Sequence, residues 1–242
     1  MLPKSFIEAY LRFLLRYRYP VSAVVLVITG FFVWFIGANL TIFTNFFDLY
    51  PPKHPYIEVY QKYRKMFGTS NVLLMTIEAK DGNIFSDPEV IRTVDRITIE
   101  LLHKVPGVNG EQVMSITHPK IKTTLTTGAG LKTVPLTYPR LPEDQEDLEF
   151  FRRKVDTTEG VRGFFVSQDD KATQIVAGFW EEYFDLAGMW KQIQEIVERE
   201  EATGKVKIYV SGPPVLFAYF NEAVGTMVWF LLGTLGLMIL LL

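Results

Sequence analysis

At 242 residues, 48% of them hydrophobic and 21% charged, the chain has enough apolar side chain to offset its ordering entropy, which excludes disorder as its main state. Its 17 Gly and 13 Pro exclude collagen-like or low-complexity character, and 25 Lys+Arg against 27 Asp+Glu leave no concentrated positive field for a nucleic acid. The absence of cysteine removes disulfides, thiol nucleophiles and cysteine metal sites.

Charge is distributed unevenly. Residues 19–47 and 223–242 carry none, and every acid except Glu8 and every base except Lys4, Arg12, Arg16 and Arg18 lies between these two runs. Ahead of the first run, Ser5 and Glu8 have capping-box spacing, while Phe6, Ile7, Tyr10, Leu11 and Leu14 form one face opposite a charged stripe. Two readings stand: a short helix lying on the inner membrane surface, or an extension of the next helix broken at Pro20. Residues 21–40 (VSAVVLVITGFFVWFIGANL) form an apolar window which, as a helix, spans roughly 30 Å of hydrocarbon. Ile36 stands where a cleavable signal would need a small residue, so the segment reads as an uncleaved anchor. Four bases against Glu8 keep the N-terminus cytoplasmic, and Tyr17, Tyr19, Phe43, Phe46, Phe47 and Tyr50 resemble interfacial aromatic belts.

In the water-facing middle, Pro51, Pro52 and Pro55 open a helix carrying Tyr56, Val59, Tyr60, Tyr63 and Phe67, which Gly68 ends. Residues 72–77 read as a buried strand closed by Asp81 and Gly82. A capping box at Ser86 and Glu89 starts a helix that buries Val90, Ile91, Val94, Ile97, Leu101 and Leu102 and stops before Pro106. A strand at 113–117 completes a β-α-β unit. Residues 112–140 hold no acid but contain Lys120, Lys122, Lys132 and Arg140, and Glu143, Asp144, Glu146, Asp147 and Glu149 follow. This suits either a basic, Thr-rich loop that meets anionic lipid or a partner, or a solvated crossover followed by a helix whose first turn collects acids; the second is the ordinary outcome. Residues 163–167 and 173–180 read as strands joined around Asp169 and Asp170. A helix then buries Leu186, Met189, Trp190, Ile193, Ile196 and Val197, Thr203 and Gly204 end it, and Val206, Ile208 and Val210 alternate as a strand. The resulting β-α-β and β-β-α-β sets predict an α+β fold of split β-α-β, ferredoxin-like type.

The second apolar run would return to the membrane from the opposite side after Glu222. With no Lys or Arg behind it, the expectation is that the chain is the front part of a longer protein.

Few residues offer chemistry. His54, His103 and His118 lack metal-site spacing, and no cofactor or metal is expected. Ser167 with Asp169 and Asp170 reads as a turn rather than a nucleophile with its acids, and Gly128 and Gly130 lack the lysine of a phosphate loop. No catalytic constellation appears. Trp190 and the Tyr56, Tyr60, Tyr63 row could line a lipid path, but stripes at helical spacing normally pack a core.

The order of these parts resembles the first extracytoplasmic loop of resistance-nodulation-division (RND) exporters, most of all the MMPL-type lipid exporters, with hopanoid transporters and Patched-like proteins more distant. The segments that carry it are DLYPPKHPYIEVYQKYRKMFG (48–68), VPGV (105–108), FFVSQDDKAT (164–173) and VSGPPVLFAYFNEAV (210–224). The resemblance implies a secondary transporter with two similar halves, a porter domain after the first helix of each, and protons driving export through ionisable groups in the middle helices. Neither apolar run here holds such a group, so the chain would contain the substrate-handling loop without the motor. The implied layout is a cytoplasmic segment (1–18), a first transmembrane helix (19–47), a periplasmic porter domain (48–222) and a second transmembrane helix (223–242) in the plasma (inner) membrane. The implied partners are membrane lipids, a hydrophobic or amphiphilic substrate and the remaining transporter helices; a homo-oligomer stays open, and no nucleic acid is expected. From other classes, a two-helix sensor with an extracytoplasmic ligand-binding domain and a membrane-anchored assembly protein share the same topology.

Overall fold

The structure is a computed structural model and describes residues 15–39, 51, 53–67, 71–128, 130–180 and 185–241. The amphipathic segment up to residue 14, the belt residues Phe43, Phe46, Phe47 and Tyr50, and the Gly68 stop lie outside them. The chain divides into two units, residues 1–46 and 47–242.

The first unit contains helix α1 (Arg18–Asn39), with Pro20 in its first turn, where a missing N–H leaves no intrahelical bond unmade. Its apolar side chains from Val24 to Phe35 are exposed. A run so apolar and so unburied is long and apolar enough to cross a membrane.

The second unit is α+β. After helix α2 (Pro55–Phe67) come β1 (Val72–Ala79), α3 (Pro88–His103), β2 (Val108–Met114), β3 (Lys122–Thr127), β4 (Gly130–Pro135), α4 (Gln145–Thr157), β5 (Ala172–Phe179), α5 (Leu186–Glu201), β6 (Val206–Ser211) and α6 (Pro213–Leu241). Four strands form one antiparallel sheet in the order β2-β5-β1-β6, and β3 and β4 pair as a separate hairpin. Because successive side chains alternate across a sheet, one face carries the rows Ile175–Met75–Val210 and Thr173–Ile77–Ile208. Helices α3 and α5 lie side by side, joined by Arg96 to Glu200 at 2.6 Å and Arg199 to Glu100 at 2.9 Å, and supply Val90, Ile91, Val94, Ile97 and Leu101 with Met189, Ile193 and Ile196 to the core.

Five sequence expectations need correction. The cap of α3 is Asp87, whose carboxylate accepts from the Glu89 N–H at 2.9 Å, while the Ser86 hydroxyl accepts from the Asn83 N–H one turn earlier. Strand β2 begins at Val108 rather than Val113 and bulges between Asn109 and Val113, and Ser115 to Thr117 leave the sheet. Residues 163–167 make only isolated bridges, Arg162 to Val166 and Val166 to Thr173, because Gly163 and Asp170 take positive φ and turn the chain. The region 112–140 contains the β3–β4 hairpin rather than a bare crossover; the acid-rich stretch after it is α4, capped by Asp144. Finally, the last helix starts at Pro213, so Val215 and Ala218 belong to the core before the same helix becomes an exposed apolar rod. By length and composition this helix too suffices to cross a membrane.

Gly212 sets that last junction. Its φ is +116°, and a Cβ there would lie 2.2 Å from the Val72 carbonyl oxygen, so only glycine lets the chain leave β6 and start α6.

Candidate functional site

Helix α3 carries a second stripe beside its core face: Asp95, Thr98, Ile99 and Leu102, at the i, i+3, i+4 and i+7 positions. The chain leaving β2 passes this stripe at Thr117, His118 and Pro119, and the chain leaving β4 closes the other side from Pro135 to Leu141. Between them lies a cleft of about 540 Å³ with mainly apolar walls, within the range of small-molecule sites.

A line of buried hydroxyls ends in this cleft. Thr98 Oγ1 lies 2.7 Å from the Val94 carbonyl and 2.9 Å from Ser115 Oγ, Ser115 Oγ lies 3.0 Å from Thr117 Oγ1, and the Thr117 hydroxyl bonds the Asp95 carboxylate. Each hydroxyl has one proton: Thr98 gives its own to the Val94 carbonyl, which can only accept, and Thr117 gives its own to Asp95, leaving Ser115 to donate to one of its two neighbours. Burial pushes the half-buried Asp95 carboxyl above its ordinary range, and the Thr117 bond offsets part of that rise.

Among the described residues no base stands within ion-pair distance of Asp95, and several bases of the surrounding segments pair with acids. Arg92 meets Glu89 at 3.6 Å, Arg96 holds Glu200, Lys120 meets Glu111 at 3.0 Å, and Arg140 meets Asp147 at 3.1 Å and Glu143 at 3.4 Å. His118 is pushed down by burial and by the Lys120 charge, which favours its neutral form, and its Nδ1 accepts from the Lys120 N–H.

Lys154 fixes the outer wall. Its ammonium donates to the Leu136 carbonyl and, at 2.6 Å, to the Tyr138 carbonyl, with the Phe150 and Phe151 rings alongside. Burial pushes this amine down to about 8, and Asp147 only partly opposes the shift.

The other candidate residues stay apart. His54 stacks near Tyr56 ahead of α2, His103 is exposed at the end of α3, and only His118 reaches the cleft. Ser167 donates to Asp169 at 2.7 Å, and the buried Asp170 binds Arg152 and Arg162, which makes this segment a braced turn. Gly128 and Gly130 flank the tip of the β3–β4 hairpin. Trp190 is buried with its ring on Tyr219, but Tyr56 and Tyr63 are exposed, so the tyrosine row is not packed in the core. Asp95, Thr117 and Lys154 carry the site, and they belong to no recognisable motif. Among the described residues no three His, Asp or Glu side chains gather to hold a metal. An apolar cleft with one oriented carboxylate is suited to binding.

No protein-family model matches the chain, and a search of curated proteins finds no match for it.

Proposed function

We propose that the chain is the first porter-domain part of an RND-type, proton-driven exporter of the MMPL kind. Residues 19–47 and 223–242 cross the plasma (inner) membrane, the N-terminus is cytoplasmic, and residues 48–222 guide a lipid or other hydrophobic substrate outward. The observation that carries this reading is the continuity of α6. Its base is packed in the domain core at Val215 and Ala218 and its remainder is an uncharged, exposed apolar rod, so the domain and the membrane segment move as one body. Alternating access requires that kind of coupling. The strand order supports a ferredoxin-like, split β-α-β architecture: β1 and β2 are joined through α3 yet separated by β5, and β5 and β6 are joined through α5 yet separated by β1. The apolar cleft supports a role in handling substrate rather than pure assembly.

The same rod favours a second reading, a sensor that passes a ligand signal through α6 to a cytoplasmic output. Deleting the gene separates the two. The exporter reading expects an amphiphile to accumulate inside the cell and be depleted outside; unchanged export with a lost transcriptional or behavioural response favours the sensor.

A further inference from the structure

We infer that α2 is a membrane-docking helix: its exposed stripe of Tyr56, Val59 and Tyr63 enters the interface of an anionic phospholipid bilayer, and the bases beside it meet lipid phosphates. This rests on the reading that residues 19–47 cross the membrane, and it names a surface of the domain that touches that membrane.

The helix needs a surface to pack on. At 13 residues it is marginal by itself in water, and such helices draw most of their stability from covering an apolar face. Yet of the nine described side chains from Pro55 to Tyr63 only Ile57 is buried, while Tyr56 is 80% and Val59 56% exposed. Residues 56, 59 and 63 stand at the i, i+3 and i+7 positions and so form one stripe, with Gln61 roughly 160° around the helix from Val59.

Composition and reach identify that surface as lipid. Tyrosine suits a membrane interface because its ring takes the apolar side while its hydroxyl stays in water. Residues 48–68 carry Lys53, Lys62, Arg64 and Lys65 against Asp48 and Glu58, an excess of two positive charges. Among the described residues neither Lys53 nor Lys62 pairs with an acid, and the Lys62 ammonium lies 5.3 Å from the centre of the Tyr63 ring, beside the stripe. Both bases are therefore open to phosphate, and a basic helix with one apolar stripe lies in the plane of an anionic membrane surface. The covalent chain allows it: the proposed first span ends at residue 47 and α2 starts at Pro55, so even a fully extended connection leaves that start within about 28 Å of the bilayer. Docked in this way, α2 gives the domain a second hold on the membrane in addition to α6.

The test uses the full chain in nanodiscs of mixed phosphatidylcholine and phosphatidylglycerol. Because the chain has no cysteine, one fluorophore can be attached at Val59→Cys, at Tyr56→Cys or, on the opposite face, at Gln61→Cys. Lipid spin-labelled at its headgroup should quench the Val59→Cys and Tyr56→Cys probes at least about threefold more than the Gln61→Cys probe, and acrylamide from the water should give the reverse order. Pure phosphatidylcholine, or Lys53→Glu combined with Lys62→Glu, should clearly lower the lipid quenching at Val59→Cys. Lipid quenching that is absent, equal at the three sites or indifferent to both changes of charge overturns the proposal. A stripe shielded from acrylamide but not quenched by lipid also overturns it, and assigns the stripe to a protein partner. Every substituted position is exposed, and Val59→Cys and Tyr56→Cys each decide the question if the other fails to fold. A nanodisc leaves both membrane faces open, so the result does not depend on the side the domain occupies in cells. Lipid contact by a domain that labelling in cells places in the cytosol would keep the docking and remove the exporter layout; an extracytoplasmic domain whose stripe no lipid quenches would do the reverse.

Discussion

Lys154 gives the sharpest test of how the cleft wall is held. Its side chain is 3% exposed and its amine is pushed down to about 8 by burial, against an ordinary 10.5. Below about pH 8 the amine is charged in both folded and unfolded chains, and the folded protein bears the full cost of burying that charge. As pH rises, the folded state gives up its proton first while the unfolded chain keeps it until near 10.5, so stability increases across this window. At ~1.4 kcal/mol per pH unit the gain reaches about 3 kcal/mol. Lys154→Met has the bulk without the titration. It also leaves the Leu136 and Tyr138 carbonyls without their donor, which costs about 1–3 kcal/mol per group left unpaired. The advantage of wild type over Lys154→Met should therefore widen by about 2 kcal/mol between pH 8 and 10. Urea unfolding of the full chain in nanodiscs, followed by its tryptophan fluorescence, measures it. Two stability profiles that run parallel across this range would mean the amine titrates normally and would refute the account.

Three further outcomes follow from single contacts. Asp87→Ala should cost about 1 kcal/mol by removing the cap of α3, and Ser86→Ala should cost clearly less; urea midpoints decide between the two. The Asp87 contribution is present at neutral pH and fades as pH falls through a carboxyl range lowered chiefly by Lys205. Gly212→Ala should cost roughly 2 kcal/mol or more, because the added Cβ meets the Val72 carbonyl, while Gly204→Ala, also at positive φ but in open space, should cost only about 1 kcal/mol. Phe151→Ala removes a buried ring packed 6.3 Å from that of Phe85 and should lose about 3–5 kcal/mol in thermal or urea unfolding.

What could be read from the sequence follows from where each signal resides. The core face of α3 was legible because Val90, Ile91, Val94, Ile97 and Leu101 repeat at helical spacing and all meet the sheet. The cap was displaced by one residue because Ser86 and Asp87 both suit the position. Pro88 decides it, since proline is favoured at the first helical position and so makes Asp87 the cap. The β3–β4 hairpin was hidden by its lack of apolar alternation: Thr123, Thr124, Thr126 and Thr127 supply β-branched stiffness, but only Thr123 and Val134 are buried. Phe165 and Val166 are buried as a strand's residues would be, yet the positive φ of Gly163 and Asp170 turns the segment before a ladder can form.

The site itself was not legible. Asp95 looks like an ordinary polar residue of a surface helix until the fold brings Thr117 to it. Lys154, within a Phe-Phe-Arg-Arg-Lys run, looks like a solvated base until the carbonyls of Leu136 and Tyr138 enclose it. Both depend on contacts across the chain that no local spacing encodes.

The central claim is that two apolar helices hold residues 48–222 beyond the cytosol, and the natural absence of cysteine allows a clean measurement of it. A single cysteine placed at the exposed Lys132 of the β3–β4 hairpin can be challenged with a membrane-impermeant maleimide in sealed cells. The account predicts full labelling before lysis, and a cysteine at Lys4 that labels only after it. Labelling of the hairpin cysteine only once the cells are opened would contradict it.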